Sequence, residues 1–101
     1  MSLTNVQKKY LKGLAHSQKP IVLVGQKGIT PELLTALKEA LESHELIKIK
    51  FLENKEKESK KEMTQQIVEE TQSELLSTIG HTVIFFKRAR KPENRKIQLP
   101  S

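Results

Sequence analysis

The chain has no cysteine, which excludes a disulfide scaffold, a thiolate zinc site and a cysteine nucleophile. It has no aspartate either: all twelve acids are glutamate, so no aspartate orients a serine–histidine pair. Long apolar runs are also missing. The longest are Ile21–Val24 and Val83–Phe86, far short of the roughly 20 residues that span a bilayer. The opening MSLTNVQKKY lacks the apolar core of a signal peptide, so a soluble, cytoplasmic protein without a membrane partner is expected. Aromatic residues are scarce: Tyr10, Phe51, Phe85 and Phe86 are the whole set. The phenylalanines fit a core better than stacking platforms, which favours backbone and shape recognition over stacked single-strand readout of any nucleic acid.

What is present comes in a telling order. At 101 residues the chain has room for one core, and a monomer is expected. Residues 1–30 carry five lysines and no acid, whereas residues 31–79 carry eleven glutamates against seven lysines. Residues 80–101 return to six basic residues against one glutamate. Positive charge thus sits at both ends of the chain. If those ends meet in space, a polyanion is the natural partner.

Thr4 ahead of Val6, Tyr10, Leu11 and Leu14 predicts a capped amphipathic helix over residues 5–15, weakened at Gly13. Ile21–Val24 is apolar without alternation, the pattern of a strand covered on both faces. Thr30–Pro31 starts a second helix, with Ile29 stapling Leu34 and with Leu33, Leu37, Ala40, Leu41 and His44 on one face. Leu46–Leu52 alternates Ile47, Ile49 and Phe51 with Lys48 and Lys50, a half-exposed strand with a basic open face. Residues 53–58 read as a solvated loop. Ser59–Glu62 fits a capping box for a third helix through Met63, Ile67, Val68 and Thr71. Leu75–Ile79 and Thr82–Phe86 predict a hairpin about Gly80–His81. The expected fold is therefore a single α+β domain of order α-β-α-β-α-β-β, with a mixed four-stranded sheet and packed helices. Its core covers about residues 4–88, and residues 89–101 read as an extended or mobile basic tail.

Nothing here assembles a catalytic centre. His16, His44 and His81 fall in three separate connections, with no i, i+4 pair to chelate a metal. Glu42 and Glu45 read as solvation at a helix end. No enzyme activity, metal, cofactor or small-molecule substrate is expected. The turn Gly25–Gln26–Lys27–Gly28 is more informative, since two glycines between a strand and a capped helix let a ligand approach the backbone. The helix N-terminus behind them favours phosphate, and Lys27 adds a full charge. Taken alone, G-x-x-G is weak, because the same glycines equally well make a tight turn. Basic residues elsewhere strengthen it: Lys8, Lys9 and Lys12 on the first helix, Lys19 before the strand, and Lys87–Arg88 after the last strand.

The segments LKGLAHSQKPIVLVGQKGIT, HELIKIKF and IGHTVIFFKR together closely resemble the bacterial YhbY-like proteins of the CRM family, the chloroplast RNA splicing and ribosome maturation domain. The resemblance runs from about Thr4 to Pro100. It implies an RNA-binding domain similar to the C-terminal domain of translation initiation factor three. It also implies association with large-subunit rRNA or pre-ribosomal particles, and a role in ribosome assembly rather than catalysis. The binding surface would be Gly25–Gly28 with neighbouring basic residues. Phe86–Lys87 departs from the Tyr-Arg of many relatives, losing a hydroxyl and a planar fork there, with Arg88 the substitute. The competing reading is a protein-interaction module with only generic electrostatic affinity for RNA.

Overall fold

A computed structural model describes residues 3–25, 27–52 and 56–100. The elements are α1 (Asn5–His16), β1 (Val22–Val24), α2 (Pro31–His44), β2 (Leu46–Phe51), α3 (Lys57–Thr71), β3 (Glu74–Ile79) and β4 (Thr82–Phe86). A 3-10 turn follows at Pro92–Asn94. The order α-β-α-β-α-β-β and the mixed sheet agree with the sequence expectation. The strands lie in the order β1-β2-β4-β3. β1 runs parallel to β2, and β4 is antiparallel to both of its neighbours. Among the described residues no helix is long and apolar enough to cross a membrane.

Two of the helix starts follow from their caps. The Gln7 N–H donates to Thr4 Oγ1 at 3.1 Å and the Thr4 N–H to Gln7 Oε1 at 3.0 Å, a reciprocal box. Thr30 Oγ1 accepts from the Leu33 N–H at 3.1 Å, with Pro31 at the first helical position. The third expectation fails. α3 starts at Lys57 behind Glu56 with no side-chain cap bond, and Ser59 lies inside the helix. Its stability comes from burial of Ile67 with Met63 and Val68 against the sheet rather than from its first turn.

The sheet carries a core on each face. Val24, Ile47, Ile49, Phe51, Val83 and Phe85 pack under α2 and α3, with Leu37, Leu41 and Ile67. Leu46, Leu76, Ile84 and Phe86 pack under α1 through Leu11 and Ala15. The buried stripe of α1 is therefore Leu11–Ala15, while Val6, Tyr10 and Leu14 are exposed, contrary to the expected stripe. The doubly covered strand is likewise β4 and not β1. Only Val24 of β1 is fully buried, and Ile21 and Leu23 face water because α1 does not reach the β1 edge.

Residues 89–100 also depart from expectation: they are docked. Ile97 and Leu99 pack against the α1-side core, Ala89 is buried, and Gln7 Nε2 donates to the Pro100 carbonyl at 3.0 Å. Two carboxylates hold this segment. Glu45, fully buried, accepts the N–H groups of Ala89 (2.8 Å), Lys96 (3.0 Å) and Ile97 (3.2 Å). Glu42 accepts from the Asn94 side-chain amide at 2.9 Å and from the Arg90 and Lys91 N–H groups. These bonds, led by that from Asn94, hold the Glu42 carboxyl below its ordinary value. Helix-end solvation is thus the wrong reading of Glu42 and Glu45. Their partners lie more than forty residues away in sequence, beyond the reach of any local pattern.

Candidate nucleic-acid interface

The loop after β1 is a closed turn. The Gly28 N–H donates to the Gly25 carbonyl at 3.1 Å, and Gly28 has φ +67°, a conformation that side-chain-bearing residues rarely adopt. A Cβ on Gly28 would meet Met63 Sδ at 3.5 Å, whereas one on Gly25 would meet nothing within 4 Å. Gly28 is therefore needed by the turn itself. Gly25 borders open space, where a ligand can reach the backbone. Lys27 is exposed at the tip; Gln26 lies outside the described residues.

The helix N-terminus behind the loop has less to give a phosphate than its position predicts. Pro31 has no N–H, the Leu33 N–H is taken by Thr30, and Glu32 puts a carboxylate in the first turn. Positive charge at this end is carried by side chains, Lys27 among them.

Strand pairing brings three segments to the same end of the sheet. The Leu52 N–H donates to the Val24 carbonyl at 3.2 Å and the Phe51 N–H to the His81 carbonyl at 2.8 Å. The Gly25–Gly28 loop, the end of β2 and the β3–β4 turn are thus neighbours. α3 adds Met63 against Gly28, and Lys60, whose ammonium lies 3.0 Å from His81 Nδ1. An ammonium can only donate, so His81 Nδ1 is the acceptor in this contact. Lys60 and His81 were not singled out from the sequence as site residues, because only the pairing of Phe51 with the hairpin turn and the packing of Met63 on Gly28 bring them to the loop end of the sheet.

Other expected residues do not gather here. Lys87 and Arg88 follow β4 at the opposite end, where the Lys87 N–H bonds the Glu45 carbonyl. The length of β2 separates that end from the loop, about 17 Å at the strand rise. Arg88 is also occupied, donating to the Ile97 carbonyl at 3.0 Å. Both line a groove of about 850 Å³ in which Lys38, Arg90 and Lys91 are mixed with Glu39, Glu42 and Glu70, so the signs partly cancel. Lys19 is exposed ahead of β1, at that same far end. Lys9 and Lys12 are exposed on α1 and Lys8 is half-buried there. That helix lies on the sheet face opposite α2 and α3. Lys48, also on the α1 face, reaches the chain just beyond α1 by donating to the Gln18 carbonyl at 2.8 Å. The expected cations therefore fall into three groups rather than one cluster.

The model of the CRS1/YhbY (CRM) domain matches residues 3–87. "Probable RNA-binding protein YqeI" of Bacillus subtilis is 39% identical over 98 residues, 97% of this chain and 99% of that protein. A Haemophilus influenzae protein named "RNA-binding protein" is 40% identical over 99 residues, covering 98% of this chain and 96% of its own length. The solution structure of SAV1595 from Staphylococcus aureus superimposes with a TM-score of 0.78 at 36% identity, covering 98% of this chain and all of that one. The chain belongs to the CRS1/YhbY (CRM) domain family.

Proposed function

We propose that this protein binds RNA without catalysing a reaction, tracking the phosphate backbone with the Gly25–Gly28 loop and the cations around it. The observation that carries the reading is the loop end of the sheet. There Lys27 stands exposed on a turn that Gly28 closes at φ +67°, at the end of the sheet that also holds the Lys60–His81 pair. Such a surface offers positive charge and an approachable backbone, the needs of phosphate contact, and among the described residues it presents no phenylalanine, tyrosine or tryptophan for base stacking. The RNA-binding names of the relatives support the same partner.

The target we propose is rRNA in precursors of the large ribosomal subunit, with a role in assembly, as the family resemblance implies. The lysines of α1 form a second contact surface on this reading. In-cell crosslinking followed by sequencing of the bound RNA tests it. Enrichment of large-subunit rRNA over its abundance is expected. Recovery of RNA merely in proportion to abundance would leave generic electrostatics and overturn the rRNA assignment.

A further inference from the structure

Among the described residues, nothing covers the α1 side of the sheet toward the loop end. α1 packs on Leu46, Leu76, Ile84 and Phe86, and beyond them one cross-strand row runs over all four strands. Leu23 of β1 pairs with Lys50 of β2, Lys50 with Thr82 of β4, and Thr82 with Ile79 of β3. Directly paired residues project to the same face, so these four side chains form one strip. Leu23 is 60% exposed and Ile79 66%, and Ile21, on the same side of β1 by alternation, is 45% exposed. Ile21 and Leu23 adjoin on β1, and Ile79 stands across Lys50 and Thr82 from them, so exposed aliphatic surface flanks the polar centre of the strip on both sides.

The charges around the patch select its occupant. Lys48 and Lys50 are the charged side chains that the strands place on this part of the face. The one acid within the strands, Glu74, pairs with Phe86 at the other end. The surface is therefore apolar and cationic together. A second copy docked patch to patch would bring Lys48 and Lys50 against their own counterparts, which is unfavourable. A nucleotide offers what the strip lacks: phosphate for Lys50 and an apolar base face for Leu23 or Ile79. The strip also adjoins the proposed RNA surface, since Leu23 lies two residues before Gly25 and Ile79–Thr82 closes the turn that carries His81.

We infer that the Leu23–Lys50–Thr82–Ile79 strip holds unpaired nucleotides of the RNA whose backbone the Gly25–Gly28 loop tracks. This inference rests on the RNA-binding reading above and narrows its ligand. A duplex keeps its base faces stacked and cannot supply them to the strip, whereas a loop or bulge can. Leu23 and Ile79 stand three strand spacings apart, about 14 Å, so the occupant is a short segment lying across the strands.

The test uses the full chain, an RNA hairpin with an unpaired loop, and a fully paired duplex of equal length. Leu23→Ser combined with Ile79→Ser removes exposed apolar surface, and a thermal melt verifies the fold. Affinity for the looped RNA is expected to fall about tenfold and duplex affinity to stay nearly unchanged. Lys27→Ala is expected to weaken both. Equal losses on the two RNAs, or no loss on the looped one, would overturn the inference and leave the RNA reading standing. So would a wild-type dimer in sedimentation that the double variant converts to monomer. Failure of the wild-type chain to bind either RNA would sink the RNA reading itself. If the double variant melts early, Leu23→Ser alone, on the edge strand, makes the same comparison.

Discussion

Replacing Glu45 with glutamine keeps its shape and removes its charge, which isolates what the buried carboxylate does for the last twelve described residues. In the native protein Oε2 accepts from Ala89, and Oε1 from Lys96 and Ile97. An amide presents one oxygen and one NH₂. Whichever way it turns, a donor faces a buried N–H that has lost its acceptor. Hydrogen bonds to a charged acceptor are worth about 1.5–3 kcal/mol and neutral ones about 0.5–1.5 kcal/mol. Losing one bond and weakening the others therefore costs about 2–4 kcal/mol. A domain of about 100 residues loses roughly 4–8 °C of Tm per kcal/mol, so a drop on the order of 10–25 °C is expected by circular dichroism at neutral pH. Trypsin should also cut faster after Arg90, Arg95 and Lys96 as that segment lifts, whereas Pro92 protects the bond after Lys91. A Glu45→Gln melt within about 2 °C of the wild type would refute the reasoning, since it would mean that three charge-assisted bonds contribute little.

Glu42 has its carboxyl lowered from an ordinary value of 4.5, so its contribution is complete above that pH and is lost as pH falls through the lower folded value. Melts in acid should show the wild type losing stability below 4.5 more steeply than Glu42→Gln, and parallel acid limbs would contradict this. Gly28→Ala should cost about 1 kcal/mol because of its positive φ, whereas Gly25→Ala, with open space around it, should melt close to the wild type. RNA affinity should fall with salt, and Lys27→Ala should make the log–log slope shallower by about one, the signature of one lost phosphate contact. An unchanged slope would place Lys27 away from the RNA.

The elements of this fold were legible where a single residue type forces the geometry. Thr30–Pro31 can start a helix and do little else, and the alternation of Ile47, Ile49 and Phe51 with Lys48 and Lys50 leaves one answer for β2. What failed was coverage, because an apolar run does not say how many faces are hidden. Ile21–Val24 and Val83–Phe86 look alike as strings. One became an edge strand with Leu23 in water, and the other the inner strand between two helical layers. The difference lies in the reach of α1 and in the insertion of β4 between β2 and β3, both set by tertiary contacts.

The candidate site divides in the same way. Gly28 and Lys27 were readable because a turn and a charge are local properties, but the company they keep depends on which strand ends coincide. A β4 antiparallel to β2 carries Lys87 and Arg88 away from the loop and brings His81, with Lys60, toward it. Charge segregation along the chain was real, yet it does not translate into one patch, because the carboxylates of Glu42 and Glu45 hold the basic C-terminal segment through its backbone N–H groups. Those bonds use the peptide donors and leave the side chains of Arg90, Lys91 and Lys96 exposed. Cationic side chains are thereby displayed on a backbone fixed by anions, and the far end of the domain keeps its positive charges although two glutamates lie beneath them.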